Sequence, residues 1–135
     1  MTENNDFLEV LCHHLNTLSL PLIARVDYVD EKEDLALYPM PGGAIESEDL
    51  AGNQTVALNF GIAVKSQDQQ KANAILWEIN ADLTRFDLNL PSQNQSYEFL
   101  GLSVINTPSL NELDEQGYYI YQLDLTACLE IERNE

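Results

Sequence analysis

The chain has 135 residues, 44% of them hydrophobic and 21% charged, proportions that fit one globular domain with a modest core and argue against a mainly disordered chain. Its charge balance is unusual, with six Lys and Arg against 23 Asp and Glu for a net charge of −17. A field of that sign repels phosphate, which speaks against direct binding of nucleic acid or an anionic membrane, and it leaves self-association to apolar contact or screening salt.

Residues 4–18, NNDFLEVLCHHLNTL, place Phe7, Leu8, Leu11, Leu15 and Leu18 at helical spacing and predict an amphipathic helix. Asn4 or Asn5 is positioned to cap it, Asp6 and Glu9 suit its first turn, and Pro21 marks its end. LIARVDYVD and EDLALYPM follow as two short strands around the charged turn DEKED, an expected hairpin. Residues 39–53, PMPGGAIESEDLAGN, carry two prolines and a Gly-Gly pair and read as a long loop.

QTVALNFGIAVKS alternates cleanly. Val56, Leu58, Phe60, Ile62 and Val64 share a core face, and the opposite face is small and weakly polar. SQDQQKANAILWEINADLTRF predicts a second helix, capped by Ser66, with Ala72, Ile75, Leu76, Ile79 and Leu83 as its buried stripe and Trp77 at the margin. After the polar connector LNLPSQNQS come two more strands, YEFLGLSVINT and GYYIYQLDLTACLEIE, joined by PSLNELDEQG. In the last strand Tyr119, Tyr121, Leu123, Leu125, Ala127, Leu129 and Ile131 form one face. Tyr118 and Ile120 begin the other, where a simple buried core does not account for them.

The order α-β-β-β-α-β-β predicts a single α+β domain over residues 1–135, with a mainly antiparallel sheet and two helices packed on one face. Frayed ends are expected at 1–4 and 133–135. Cys12 and Cys128 are too few for a disulfide framework and are expected to be reduced thiols. MTENNDFLEV lacks the features of a signal peptide, and no segment approaches the roughly 18 apolar residues of a membrane span, so a soluble cytoplasmic product is expected.

No motif points to catalysis. In the run Cys12-His13-His14 adjacent helical side chains fan apart by roughly 100°, so the three cannot converge on one metal ion. PGGA lacks the Lys and Ser/Thr of a phosphate-binding loop. Three acidic clusters stand out: Asp30, Glu31, Glu33 and Asp34; Glu46, Glu48 and Asp49; Glu112, Asp114 and Glu115. None has the spacing of a calcium-binding loop. Only two histidines are present, and neither lies in a hydrolase motif. The expectation is a non-enzymatic protein without cofactor or metal.

The segments MPGG, LNFGIAVKSQDQQKANAILWEIN and NTPSLNELDEQGYYIYQLDLTACLEI, spread over residues 35–131, resemble the minor capsid proteins of the head–tail joining region of long-tailed phages and prophages, whose fold is similar to that of tail terminators. The resemblance implies a virion protein assembled in the host cytoplasm and forming a ring, commonly a hexamer. Such a ring caps the tail tube and joins it to the head connector or stopper, and DNA passes through it without specific binding. On that footing the three acidic clusters line a lumen or a solvent rim, since repulsion lets phosphate slide. Met40, Ile45, Tyr118 and Ile120 meet neighbouring subunits. Two readings from other classes stand beside it: an acidic DNA mimic or adaptor that binds a basic host partner, and a metal-assisted enzyme built on Asp30, Glu33 and Asp34.

Overall fold

The computed structural model describes residues 6–27, 32–50, 52–93 and 96–131, apart from the side chains of Ala44 and Glu46. The frayed ends expected at 1–4 and 133–135, and the caps expected from Asn4 or Asn5, fall outside the described residues. In chain order the elements are α1 (Phe7–Asn16), β1 (Ala24–Val26), β2 (Asp34–Glu48), β3 (Gln54–Ser66), α2 (Gln69–Leu83), β4 (Glu98–Leu113) and β5 (Tyr119–Ile131). The strands make one sheet in the order β1-β2-β3-β5-β4, antiparallel except between β1 and β2. The expected α+β class with both helices over one face is what the chain adopts.

The core lies between that face and the helices. Leu35 and Leu37 of β2, Ile62 and Val64 of β3, and Leu123 and Leu125 of β5 are fully buried against Leu11 and Leu15 of α1 and Leu76, Ile79 and Leu83 of α2. Phe7 plugs one end, its ring 5.1 Å from Phe60, 5.7 Å from Tyr97 and 6.2 Å from Phe99. Asp6 stands at the N-cap of α1 but makes no capping bond. Its carboxylate instead accepts bonds from the Ser92 and Ser96 hydroxyls and the Gln93 N–H, which ties the helix start to the connector before β4. The two helices are joined through His14 and Asp82 at 2.5 Å.

Four sequence expectations are corrected. LIARVDYVD and EDLALYPM do not form a hairpin: β1 is three residues long and pairs parallel with β2, Ala24 opposite Leu35. This brings Leu35 and Leu37 under α1 while Asn16 at its end holds β1, accepting the Ala24 N–H and donating to the Ala24 carbonyl. Residues 39–53 are not one long loop. β2 runs on to Glu48 and pairs with β3, with register shifts between Met40 and Ala44 and between Ile45 and Ser47, leaving only a turn closed from Asp49 to Asn53. Prolines are tolerated there because β2 is the outermost strand beyond its contact with β1. Gly42 takes φ +99° at the irregularity, where a side chain is strained.

β4 likewise continues through much of PSLNELDEQG, to Leu113. The turn that follows is held by Asp114, whose Oδ1 accepts the N–H groups of Gln116 and Tyr118, with Gly117 at φ +87°. The second helix is capped by Asp68, which accepts the Lys71 N–H at 3.1 Å, and not by Ser66. Ser66 sits two residues earlier, accepting the Asp68 N–H and donating to Glu33.

Candidate functional site

With both helices on one side, the other face of the sheet carries no second layer of secondary structure among the described residues. Its side chains are polar and tied to one another across strands. Thr126 donates to Asn59 at 2.7 Å, and Asn59 donates to the Pro41 carbonyl at 3.0 Å. Gln122 and Asn106 both donate to Asp124, at 2.6 and 2.9 Å, and Asn111 donates to Gln122 at 3.2 Å. Bonds of this kind fix the rotamers of a half-exposed surface, so it is presented in one arrangement. Part of the face is shut. The Tyr38 ring lies over Gly61 so closely that an added Cβ would come within 2.7 Å of it, and Gly61, Ala63 and Lys65 are buried.

At one end of the sheet the start of β2, the end of β3, the end of β4 and the start of β5 come together. This brings Glu33 and Asp34 of the first acidic cluster to the same place as the third cluster, an arrangement no spacing in the chain announces. Asp34 opposes Lys65 in register, and Lys65 and Glu112 both oppose Ile120. Glu33 accepts from Ser66 and Lys71, and these bonds, the Ser66 hydroxyl first, hold its carboxyl below the ordinary range. Asp34 is buried and clamped by Arg25 through two bonds, which with Asp27 raises the guanidinium further above its usual value. Asp114 pairs with Lys65 at 3.1 Å. The Tyr118 N–H, then Lys65 and Gln116, lower its carboxyl. Glu112 and Glu115 are exposed at this end, whereas Glu48 and Asp49 are exposed at the opposite end. Asp30 and Glu31 lie outside the described residues, as does the side chain of Glu46.

Of the expected interface residues, Tyr118 and Ile120 lie together beside Lys65, and Met40 and Ile45 lie on β2. Ile45 is well exposed on β2. Met40, half-buried, lies within reach of Gln122 on the open face. Tyr118 is half-buried with its ring 5.2 Å from the Lys65 ammonium, a cation–π contact. Ile120 is half-buried between Lys65 and Glu112. Exposed apolar residues that the sequence reading passed over include Ile23, Leu110 and Leu113.

Among the described residues no three His, Cys, Asp or Glu side chains gather as metal ligands would, and no helix is long and apolar enough to cross a membrane. Cys12 donates to the Ala24 carbonyl, and burial followed by Glu9 pushes its thiol up, away from a reactive thiolate. A cleft of about 570 Å³ beside Tyr97, Glu98 and Glu130 holds two carboxylates in register across β4 and β5. The Tyr97 hydroxyl on its wall donates to the Leu90 carbonyl, and burial and Asp6 raise its pKa.

A comparison with curated proteins returned no match. The family model described as bacteriophage tail terminator protein matches residues 13–131, a span that takes in every strand of the sheet, α2 and the end of α1. The chain belongs to the bacteriophage tail terminator family, structural proteins of the phage particle.

Proposed function

We propose that this protein is a non-enzymatic, single-domain component of the head–tail junction, a tail terminator that forms a ring on the end of the tail tube and joins it to the head connector or stopper. The observation that carries this reading is the family match across the whole sheet. The number of subunits, six by family resemblance, belongs to the proposal, as do assembly in the bacterial host's cytoplasm and the passage of DNA.

The electrostatics support a ring that DNA crosses without sticking. Arg25, Lys65, Lys71 and Arg85 are each held in ion pairs with carboxylates of their own chain. With these four of the chain's six cations already occupied, against 23 Asp and Glu, phosphate approaching the surface meets net repulsion. Glu112 and Glu115 at one end, and Glu48 and Asp49 at the other, are exposed acids suited to a lumen or rim.

Deleting the gene in a phage that encodes it and imaging the particles tests the role. Loss of a terminator gives tails of abnormal length. Normal-length tails lying unattached beside heads that have lost their DNA would instead assign the chain to the head side of the joint and overturn termination.

A further inference from the structure

The exposed large apolar side chains among the described residues are not spread around the molecule. Ile23, Val26, Ile45 and Leu50 lie along β1, β2 and the turn that leaves β2. Leu100, Ile105, Leu110 and Leu113 lie on β4, at the opposite edge of the sheet. Phe86 precedes β4, and Trp77 is partly exposed on α2. The open sheet face between the two edges has none of them. Each edge is thus apolar, and the two edges differ in sequence and shape.

The charges tell the same story. In a chain of net charge −17, residues 35–45 of β2 and 99–111 of β4 contain no Asp, Glu, Lys or Arg. An outer strand is where charged side chains are commonly placed to prevent association. Here β2 beyond its contact with β1, over residues 38–45, and β4 over residues 99–111 lack them, while acids crowd the turns at the two ends of the sheet. Two copies of so acidic a chain repel one another, and the least costly place for them to touch is where each presents apolar, uncharged surface. Leu100 and Ile105 add to this: they are bulge residues with no opposite number on β5, displaced from the regular alternation.

We propose that copies of this chain associate head to tail, the β1–β2 edge of one seated against the β4 edge of the next. Two different patches on opposite sides of a protomer make a heterologous contact, which closes into a ring when the rotation between copies allows. The contact is made by side chains and not by extending the sheet. Pro39, Pro41 and two register shifts interrupt β2, while Pro108 and four register shifts interrupt β4, so neither edge offers a regular ladder to a new strand. This inference rests on the ring reading above and names the surfaces that build it. Of the interface residues expected from sequence it keeps Ile45 and Met40, both on the uncharged stretch of β2, and leaves Tyr118 and Ile120 outside.

Two double variants of the full chain test it, Ile23→Glu with Ile45→Glu on one edge and Leu110→Glu with Leu113→Glu on the other, with native mass spectrometry and light scattering over a range of protein and salt concentrations. All four positions are exposed, and circular dichroism checks that each variant folds. The wild type is expected to form a discrete oligomer, strengthened by salt. Each variant alone is expected to be monomeric where the wild type is fully assembled. An equimolar mixture of the two should give 1:1 dimers and nothing larger, because only one intact edge of each remains to pair. A wild-type oligomer that persists in both variants overturns the edge assignment while leaving the ring. Wild type that stays monomeric at high protein and salt overturns the pairing of copies and the self-assembled ring together, and assigns the apolar edges to another protein.

Discussion

The two faces of the central strand pair obey different rules. On the helix side of β5, Leu123, Leu125, Ala127 and Leu129 are wholly shielded from solvent. One residue along, Gln122, Asp124, Thr126 and Cys128 are half-exposed, and the first three hold their polar groups in lateral bonds. The same backbone carries both sets, so the strand ladder is common to them and the side chains make the difference. The helix face supplies stability through area removed from water. The open face contributes little of that, and its order comes from hydrogen bonds that are individually modest in net terms. A sheet built this way can alter its open face and its edges without unfolding.

The contrast is broken most sharply from the helix side. Phe7→Ala removes the ring at the centre of four aromatics and should cost about 3–5 kcal/mol in urea unfolding, with Leu123→Ala at about 2–5 kcal/mol. A loss under 1 kcal/mol at either site would mean that the helix layer is loosely packed. On the open face Gly61→Ala is the severe change, because the new methyl must displace the Tyr38 ring, and about 1–3 kcal/mol is expected. Thr126→Ala, which removes a bond to Asn59, should cost only about 1 kcal/mol. If it matched Leu123→Ala, the two faces would not differ as argued.

A titration sharpens the picture at the acidic end. The native state holds the Asp114 carboxyl below its ordinary value, so it favours the ionised form more than the unfolded chain does. Its contribution is therefore complete at neutral pH, above the ordinary carboxylate value, and is lost as pH falls through the lower native value. Asp114→Asn should lower stability near pH 7, with the gap from wild type closing as the solution is acidified below about pH 4. A gap independent of pH would mean that the turn depends on shape alone. The smallest effect is expected at Glu130, which faces Glu98 across β4 and β5. Glu130→Gln relieves like-charge opposition and should raise stability by a few tenths of a kcal/mol, less in high salt.

Alternation in β3 and β5 was plain in the sequence because period two is strict when one face is buried, and both helices showed in their stripes. Residues 39–53 read as a loop in sequence because Pro and Gly report local preference, and an outer strand tolerates both where an inner one would not. The pairing of β1 is hidden for another reason: Ala24-Arg25-Val26 carries no mark of direction, and its parallel pairing is set by Asn16 and by α1 lying over β2. The acidic clusters were each visible, but their meeting was not, since Glu33 and Asp114 lie far apart along the chain and only the register of four strands brings them to one end.

The sequence by itself determined the class of fold, the two buried stripes, the inward face of β3 and β5 and the overwhelming negative charge, because each follows from spacing or composition within a short window. The tertiary structure alone decided which strands lie outermost, which acids are clamped by Arg25, Lys65 and Lys71, and that the uncharged stretches of β2 and β4 fall on opposite edges. Those facts depend on register between distant segments, and strand order, unlike periodicity, leaves no local trace.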